Sequence, residues 1–571
     1  GWSDRVGAGL DPCGALRVSI PLAPGESRDV VFRLGMGASE DEARELVQRY
    51  RQDGAAAREL VEVRTQWRDL LGAVQVQSPE PTVDIFANGW LLYQTVASRL
   101  WARSGYYQSG GAIGFRDQLQ DSMAAQHAAP AIARAQLLIC AARQFVEGDV
   151  QHWWHPPSGR GVRTACSDDF LWLPLATSRY VLASSDAGVL DESVEYIEAR
   201  ALRPDEESFY DLPRPSGTRG TLYEHCVRAL MHSMPRGTHG LPLIGSGDWN
   251  DGMNRVGEGG KGESVWLAFF LIHVLREFAP VAAAHGDKAF AARCNEEANR
   301  LVTNSEAHAW DGEWYLRAWF DDGTPLGSAR NDECRIDAVA QSWAVLSGGA
   351  GEERASQAMR SLDTHLVRPD AHLIQLLDPP FDRTAMDPGY IKGYLPGVRE
   401  NGGQYTHAAV WVTMAFARLG QTEHAWDLAR MILPSGHTAD AAAVSTYTVE
   451  PYVLAADVYA VSPHVGRGGW TWYTGSAGWM YRLLLESLLG VTLVEGRLRI
   501  APCVPARWAG YTVTYRHGAA TYVIQLRRAG PGEKASLTLD GASIEGDSIA
   551  LTDDAHERQI LCVYLVRPTE A

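Results

Sequence analysis

The chain has 571 residues, of which 46% are hydrophobic and 21% charged, a composition typical of a folded protein and not of a disordered one. The chain is too long to fold around one simple hydrophobic core, so we expect two or more domains, or one large barrel with attachments. The net charge of -17 argues against nucleic acid and anionic membrane surfaces as partners, and no run approaches the roughly 18 apolar residues that span a bilayer.

The N-terminal segment alternates as strands do, at residues 15–20 and again at 30–34 after a Pro-Gly turn. Two strands do not form a stable sheet alone, so residues 1–37 read as the tail of a β-domain. Ser39 with Glu42 predicts an N-cap followed by Glu at N3, a capping box. It opens a charged helical linker, which we assign to residues 38–80.

Apolar residues recur at helical spacing from Val83 to about Leu489. The predicted helices cover residues 85–101, 118–146, 168–184, 223–233, 264–285, 288–303, 335–347, 353–367, 405–419, 422–433, 447–460 and 475–489. Long loops rich in His, Asp, Arg and Trp join them, whereas solenoid repeats keep short, regular turns. We therefore predict a mainly α fold, with an (α/α)6 barrel over residues 81–489 and a cleft built from loops at one end.

The first loop of chemical interest covers residues 110–121, in which glycines precede Arg116 and Asp117. Glycine lets the backbone approach a ligand, and an Arg-Asp pair at a helix start can bind an anion and sugar hydroxyls. A capped helix with a local ion pair explains the same residues equally well.

The second loop, residues 151–169, begins with His152, two tryptophans and His155. Two histidines three apart can bind a metal, but the following prolines and the lack of a nearby Cys/His set argue against a metal site. We prefer an aromatic wall of a sugar subsite. Many of the 19 tryptophans lie in similar polar loops, which favours a carbohydrate cleft: Trp153, Trp154, Trp249, Trp314, Trp470 and Trp472.

The most informative loop covers residues 245–254, where Asp248 and Asp251 flank Trp249 and Asn250 with glycines on both sides. The tryptophan offers a flat apolar face on which sugars stack, and a carboxyl group beside it can act as a general acid. The alternative is a polar turn between two helices, because such residues favour turns on their own account.

Two further loops precede apolar helices. Residues 400–407 place His407 at a helix start, where a satisfied core or capping histidine is the plain alternative to a ligand contact. In residues 469–479, Thr474 and Gly475 offer a hydroxyl and backbone N–H groups just before a helix, which is a ready anion site. The sequence thus combines one acid loop with three positions that can bind an anion.

This combination favours phosphorolysis over hydrolysis. An inverting glycosidase needs an acid and a base that activates water. If phosphate replaces the water, no base is required, because the nucleophile is already an anion, and hydrogen-bond donors and cations are needed instead.

The C-terminal segment returns to a period of two from Val491 onward. Five short strands are predicted, near residues 498–500, 511–515, 520–524, 536–539 and 560–564. Gly, Pro and Asp turns separate them, so residues 490–571 are predicted to form a small antiparallel β-domain. The eight scattered cysteines contain no C-x-x-C pair, which fits thiols in a reducing compartment better than a disulfide framework or a zinc site.

Four motifs carry a resemblance to a known family: GFRDQLQD at 114–121, GDWNDGMN at 247–254, ENGGQYTH at 400–407 and WTWYTGSAGW at 470–479. In this order they resemble the inverting β-glycoside phosphorylases of glycoside-hydrolase family ninety-four. Residues 7–13, 101–110 and 151–157 look like the C-terminal phosphorylase region of cyclic β-1,2-glucan synthases, which are large inner-membrane proteins.

The resemblance implies that Asp251 is the general acid that protonates the glycosidic oxygen. It also implies a set of substrate-binding residues, Asp117, Trp249, Asp248 and Glu450, and a set of phosphate-binding residues, Arg116, His407, Thr474 and Gly475. Inorganic phosphate would be the co-substrate, the product would be α-D-glucose 1-phosphate, and no metal or organic cofactor is implied.

Members of the family carry a large N-terminal β-sandwich, of which residues 1–37 would be the truncated tail. Gly1 is not a natural start, so we expect a processed product or a piece of a longer protein. The resemblance implies a piece of a larger synthase, cytoplasmic and held at the inner face of the bacterial inner membrane by other parts of the parent protein. The alternatives are a phosphorylase for another β-linked glucoside such as cellobiose, an inverting glucan hydrolase, and a non-catalytic glucan-binding module. A homodimer is also open.

Overall fold

The computed structural model describes residues 5, 7–9, 13–105, 110–203 and 206–565. Residues 10–12 and 106–109, which belong to two of the resembling segments, lie outside the described residues. The chain divides into two compact units, Gly1–Trp67 and Arg68–Ala571. Seven of the eight cysteines are buried, and no disulfide joins cysteines in the described part of the chain.

The helical elements of the described residues are mostly in the second unit. The α-helices are α1 Glu40–Tyr50, α2 Ala55–Leu71, α3 Pro81–Ile85, α4 Leu91–Gln94, α5 Phe115–Ala125, α6 Pro130–Ala141, α7 Trp172–Ser184, α8 Leu222–His232, α9 Val265–Ala284, α10 Lys288–His308, α11 Ala338–Leu346, α12 Glu352–Leu366, α13 Thr406–Arg418, α14 Thr422–Ile432, α15 Ala441–Tyr447 and α16 Ser476–Arg482. Three π-helical segments continue α3, α4 and α16: Phe86–Trp90, Thr95–Trp101 and Leu483–Leu488. Short 3₁₀ turns cover Asp169–Leu171, Ala187–Asp191, Asp251–Met253, Pro369–Ala371, Tyr390–Gly393 and Pro434–His437.

The strands are short outside the C-terminal region. They are β1 Val74–Gln77, β2 Ile113–Gly114, β3 Gln151–His155, β4 Arg160–Thr164, β5 Ser193–Glu198, β6 Ser208–Asp211, β7 Arg214–Thr221, β8 Glu263–Ser264, β9 Ala318–Trp319, β10 Pro325–Leu326, β11 Ile336–Asp337, β12 Val367–Arg368, β13 Leu373–Ile374, β14 Leu377–Asp378, β15 Gln404–Tyr405, β16 Asp457–Val458, β17 Val491–Val494, β18 Arg497–Ile500, β19 Gly510–His517, β20 Ala520–Arg528, β21 Ser536–Leu539, β22 Ala542–Ile544, β23 Ser548–Ala550 and β24 Glu557–Tyr564.

The N-terminal unit departs from the prediction of strands. Residues 13–35 form no strand, and apolar side chains such as Leu16 and Phe32 are exposed. A strand needs a neighbour to complete its hydrogen bonds, and the described residues supply none here. The Ser39 cap of α1 is present, because its hydroxyl accepts from the amide of Glu42. The Glu42 carboxylate, however, accepts from Ala38 and not from Ser39, so the capping box is shifted by one residue.

Six helices of the second unit contact one another in a closed order: α5, α7, α9, α11, α13, α16 and back to α5. Five further helices each lie against the ring helix that precedes them in the chain: α6, α8, α10, α12 and α14. The ring helices are buried on most sides, as expected for helices surrounded by protein. Their first residues and the loops before them carry the sequence motifs, so the ring positions the candidate site.

Helix α9 is long and apolar enough to cross a membrane, and 67% of its most apolar stretch is buried inside the protein. This burial is what the core helix of a folded domain requires. We expected no run of that length because Arg276 and Glu277 interrupt the apolar residues of this segment, yet α9 as a whole meets the length and composition of a membrane span.

The C-terminal sheet has six strands in the order β1-β19-β20-β24-β21-β22. Strands β20 and β24 are parallel, so the prediction of an antiparallel domain is wrong at this pair. The intervening β21–β22 hairpin and β23 provide a connection long enough for a parallel return. Strand β1 pairs with β19, so the end of the predicted helical linker is a strand of this sheet.

Candidate active site

A cleft of about 190 Å³ lies among the loops that precede ring helices. Arg116 and Asp117 reach it from the start of α5, and His407 from the start of α13. Its lining residues are Arg99, Arg116, Asp117, Trp249, Asp251, Tyr390, Tyr394, Arg399, Glu400, Tyr405, His407, Trp470, Tyr473, Thr474 and Gly475. Seven of the nine predicted site residues are therefore neighbours, although they come from four separate loops.

Asp251 begins the 3₁₀ turn after Asn250, and its side chain is 36% exposed. Arg116 donates from Nη2 to its Oδ1 at 2.6 Å, and the Nε2 atom of His152 lies 3.7 Å from its Oδ2. A carboxyl group held from one side and open to the cleft on the other is positioned to exchange a proton with a ligand.

Arg116 is held by other oxygen atoms as well. Its Nη1 donates to Oδ1 of Asp168 at 2.9 Å and to the carbonyl of Asp248 at 3.0 Å. Asp168 is fully buried and also accepts from the indole of Trp172. Burial raises the pKa of Asp168 to about 7, although Arg116 opposes this shift. These hydrogen bonds hold the Arg116 guanidinium in contact with Asp251.

His152 donates from Nδ1 toward Asp169, with 2.7 Å between the two atoms. Burial lowers the pKa of His152, but the carboxylates of Asp169 and Asp251 outweigh it and raise the pKa to about 9. The imidazole is therefore positively charged at neutral pH. The sequence pattern had indicated a sugar subsite wall here and had not placed His152 beside the predicted acid.

The charge of His152 gives a test of this geometry. Its pKa lies above 6.5 when folded, so its contribution to stability is complete below pH 6.5 and is lost as pH rises through 9. The pKa of about 9 in the folded protein lies 2.5 above the ordinary value of 6.5. This difference corresponds to a contribution of about 3 kcal/mol, at most, to the free energy of unfolding. We expect thermal unfolding of His152→Asn and the parent chain to differ most at pH 6 and to converge by pH 10. A difference that is constant with pH would contradict the ion pair.

Donor atoms of His152, Cys166 and Asp251 lie within 4.8 Å of one another, as do those of Cys166, Asp168 and Asp169. Such groups can hold a metal when the thiol is ionised. Burial, with Asp169 and Asp251 nearby, raises the pKa of the Cys166 thiol far above its usual value. Arg116 already supplies positive charge to these carboxylates, so the arrangement favours an ion-pair network over a metal site.

Asp117 is the second cleft carboxylate, and its side chain is 42% exposed. Burial raises its pKa, but Arg99, with Nη2 at 3.3 Å, and Arg116 hold the pKa below its usual range. An ionised carboxylate accepts hydrogen bonds only, so Asp117 can bind sugar hydroxyls. Arg99 itself is buried and lies with its guanidinium 4.2 Å from the ring centre of Tyr473.

His407 is buried and lies edge-on to Trp249, with 5.3 Å between ring centres. Burial, with help from Arg99 and Arg116, holds the pKa of His407 at about 3 despite Asp117. The ring is therefore neutral. Its Nε2 is buried and has no hydrogen-bond partner among the described residues, which a bound ligand or water could supply.

Thr474 and Gly475 precede α16 beside His407. A Cβ placed on Gly475 would lie 3.5 Å from Cε1 and Nδ1 of His407 and 3.7 Å from Nη2 of Arg99. The backbone of Gly475 has an ordinary helical φ of -65°, which any residue can adopt. The missing side chain matters because it leaves open space beside His407 and Arg99. The space between an imidazole and a guanidinium, beside half-buried Gly475 at the start of α16, suits a small anion.

Asp248 does not line the cleft, which corrects its assignment as a substrate-binding residue. Its carboxylate is fully buried and accepts from Arg317 at 2.6 and 2.7 Å and from the hydroxyl of Ser264 at 2.6 Å. Arg317 is itself fully buried. Asp248 therefore holds the loop in place, and its backbone carbonyl supports Arg116.

Glu450 also lies outside the cleft lining. It accepts from the hydroxyl of Thr471 at 2.8 Å and from the indole of Trp472 at 3.0 Å, so it positions the loop that carries Trp470. Of the loop tryptophans, only Trp249 and Trp470 line the cleft. The others pack elsewhere, for example Trp154, which is buried.

Several cleft residues were missed from the sequence. Arg99 lies in a π-helical segment and carries no loop signature. Glu400 and Tyr405 belong to a motif that was singled out for His407 alone, and Glu400 has a buried oxygen without a hydrogen-bond partner in the described residues. The position of Glu400 and Tyr405 in the Gly-rich motif at 400–407 is the sequence signal that could have indicated them.

Aromatic faces, the ionised carboxylate of Asp117 and buried donors in one cleft are typical of carbohydrate-binding sites in glycan-processing proteins. The family model "Glycosyl hydrolase 94 superfamily, catalytic domain" matches residues 66–490, and "Glycosyl hydrolase 94, supersandwich domain" matches residues 1–53. The chain therefore belongs to the glycosyl hydrolase 94 superfamily, which confirms the family indicated by the four motifs.

Two relatives and one solved structure illustrate the similarity. The chain is 45% identical over 96% of its length to cyclic beta-(1,2)-glucan synthase NdvB of Rhizobium meliloti, but spans only 19% of that protein. It is 31% identical over 97% of its length to solabiose phosphorylase of Paenibacillus borealis, of which it spans 68%. A GH78 family rhamnosidase of Bacillus sp. GL1 shares the fold with a TM-score of 0.53 at 12% identity, over 86% of this chain and 44% of that one.

Proposed function

We propose that this chain is an inverting glycoside phosphorylase that cleaves β-1,2-linked glucan with inorganic phosphate and releases α-D-glucose 1-phosphate. One observation carries the proposal: the cleft joins the partly exposed carboxyl group of Asp251, the imidazole of His407 and the open space at Gly475. The Nε2 atom of that imidazole has no hydrogen-bond partner among the described residues. Similarity to a phosphorylase and to a β-1,2-glucan synthase supports the reaction and the linkage.

In the proposed reaction, a phosphate oxygen attacks the anomeric carbon while the bond from that carbon to the glycosidic oxygen breaks. Asp251 gives its proton to the departing oxygen, which becomes a hydroxyl of the shortened glucan. Attack from the face opposite the leaving group converts a β-linkage into an α-phosphate, so one displacement accounts for inversion. No second carboxylate is needed as a base.

Phosphate would lie among His407, Thr474, Gly475 and the guanidinium groups of Arg99 and Arg116. Neutral His407 would contribute a hydrogen bond and not a charge, and the two arginines would supply the charge. Asp117 would bind hydroxyls of the glucosyl unit, with Trp249 beside it.

Gly475→Ala tests the phosphate position. The added methyl group would make ordinary contacts with His407, so we expect an unchanged unfolding temperature. It would occupy space proposed for phosphate, and we expect the KM for phosphate to rise at least about tenfold, a cost of about 1.4 kcal/mol. Initial rates at varied phosphate would show this, and an unchanged KM for phosphate would place the anion elsewhere.

The substrate assignment has its own test. We expect turnover of linear β-1,2-gluco-oligosaccharides with phosphate to exceed that of cellobiose at equal concentration. Preference for cellobiose would keep the reaction and overturn the linkage. Glucan binding without turnover of any β-glucoside would favour the non-catalytic module.

We also propose the architecture and setting. The six ring helices and their outer partners would form an (α/α)6 barrel over residues 81–489, between a linker at 38–80 and the C-terminal β-domain. The chain would act within a larger membrane-bound synthase, on the cytoplasmic side, where trimming of linear glucan sets product length. Full-length synthase carrying Asp251→Asn should then make products of altered size, and an unchanged size distribution would contradict this role.

A further inference from the structure

A second cavity, of about 700 Å³, lies at the other end of the helix ring. The proposed active site uses the first residues of the ring helices, whereas this cavity is lined by their C-terminal halves, for example by Arg179 of α7 and Arg418 of α13. Residues 492–495 and Arg499 of the C-terminal strands complete the lining. The two cavities therefore share the ring but no lining residue.

The second cavity is rich in positive charge, although the whole chain carries a net charge of -17. Its charged lining residues are Arg179, Arg276, Arg418, Arg482, Arg499, Glu277, Glu486 and Glu495. His273 also lines it and is neutral, because burial and the nearby arginines hold its pKa at about 4 despite Glu277. Five guanidinium groups thus face three carboxylates.

Three of these arginines bind carbonyl or carboxylate groups of the protein itself. Arg276 donates to the carbonyls of Ser347 and Gly348, and Arg418 donates to that of Leu346, so both cap the C-terminal end of α11. Arg499 is paired with Asp547 of the C-terminal region. These contacts account for the arginines without any ligand.

Arg179 and Arg482 are different, because they share one carboxylate. Glu486 accepts from Arg179 at 2.7 Å and from Arg482 at 3.2 Å, and the Nε2 atom of His127 lies 3.1 Å from it. Arg482 is only 5% exposed. Nη1 of Arg482 and Nε of Arg179 are buried and have no hydrogen-bond partner in the part of the chain that the structure describes.

Arg482 is buried and Arg179 is half-buried, and the two share one carboxylate. One buried donor atom on each guanidinium therefore stays unsatisfied in the described residues, which is costly in a protein interior. We propose that this cavity binds a phosphate group, carried by inorganic phosphate or by a sugar phosphate, between Arg179 and Arg482. Guanidinium donors suit phosphate oxygens, and the volume admits a sugar attached to the phosphate. This site is independent of the proposed catalytic function.

Calorimetric titration of the whole chain with inorganic phosphate, and separately with glucose 1-phosphate, tests the proposal. We expect Arg179→Gln to weaken binding at one site about tenfold, as the loss of one charge-assisted hydrogen bond would. Arg134→Gln is the matched control, because Arg134 pairs with Asp186 and Glu192 outside both cavities and should leave binding unchanged. The ligand that binds more tightly at the Arg179-dependent site identifies the source of the phosphate.

Two phosphate sites, of which Arg179→Gln weakens one about tenfold, would support both this site and the proposed cleft. A single site that Arg179→Gln weakens about tenfold would support the second cavity and count against phosphate in the cleft. A site count and affinity unchanged by Arg179→Gln would overturn the inference. Crystals soaked in tungstate give an independent readout if a variant folds poorly: heavy-atom density between Arg179 and Arg482 is expected, and density in the cleft alone would contradict the proposal.

Discussion

Asp251→Asn is expected to abolish phosphorolysis and to leave the fold intact. The side chain is 36% exposed, and an asparagine can still accept from Arg116, so little stability should be lost. Without a transferable proton the departing glycosidic oxygen would leave as an alkoxide, and we expect kcat on β-glucan to fall by about 10²–10⁴. Initial rates of glucose 1-phosphate release, together with the unfolding temperature, measure both parts.

An activated substrate separates the acid from a positioning role. A β-glucoside with a dinitrophenolate leaving group needs no protonation, so Asp251→Asn should retain most activity on it when phosphate is present. An equal loss on both substrates would show that Asp251 positions the sugar or phosphate and is not the proton donor.

Asp248→Ala is expected to produce the opposite pattern, a large loss of stability. Removing this carboxylate leaves Arg317 fully buried. Among the described residues, Asp337 at 3.6 Å from its Nε is then the one carboxylate within ion-pair distance, and the Ser264 hydroxyl lies 3.4 Å from its Nη1. Breaking a buried ion pair from one side costs about 3–5 kcal/mol. Chemical denaturation followed by circular dichroism would measure the loss.

The double variant Asp248→Leu with Arg317→Met is the control for that prediction. It removes both charges at once and should recover part of the lost stability, because no unpaired charge remains buried. If Asp248→Ala unfolds like the parent chain but loses glucan binding, Asp248 would be a substrate-binding residue after all.

The two aspartates show what the sequence could and could not predict about the site. They occupy the same Gly-rich loop and are equally plausible acids by spacing. Their difference comes from Arg317, which follows far along the chain and folds against Asp248 only in the tertiary structure. Sequence patterns identified the loops, and the family motifs separated Asp251 from its neighbour, but composition alone gave no such distinction.

The same dependence on tertiary contacts explains why the sequence did not indicate Arg99 and Arg482 as cavity residues. Both lie in helical segments, where an arginine reads as a solvated residue, and both are buried. In the fold, helical periodicity located the ring helices because apolar residues recur along each of them at helical spacing. Strand pairing was less predictable, since the parallel contact between β20 and β24 depends on partners that period-two patterns do not specify.

The most direct test of the central proposal is product analysis with linear β-1,2-gluco-oligosaccharides, with and without inorganic phosphate, followed by NMR assignment of the anomer. We expect α-D-glucose 1-phosphate to form only when phosphate is present. Free reducing sugar released without phosphate would contradict phosphorolysis and indicate a hydrolase, with Asp117 or Glu400 as the candidate base. A β-phosphate would contradict inversion.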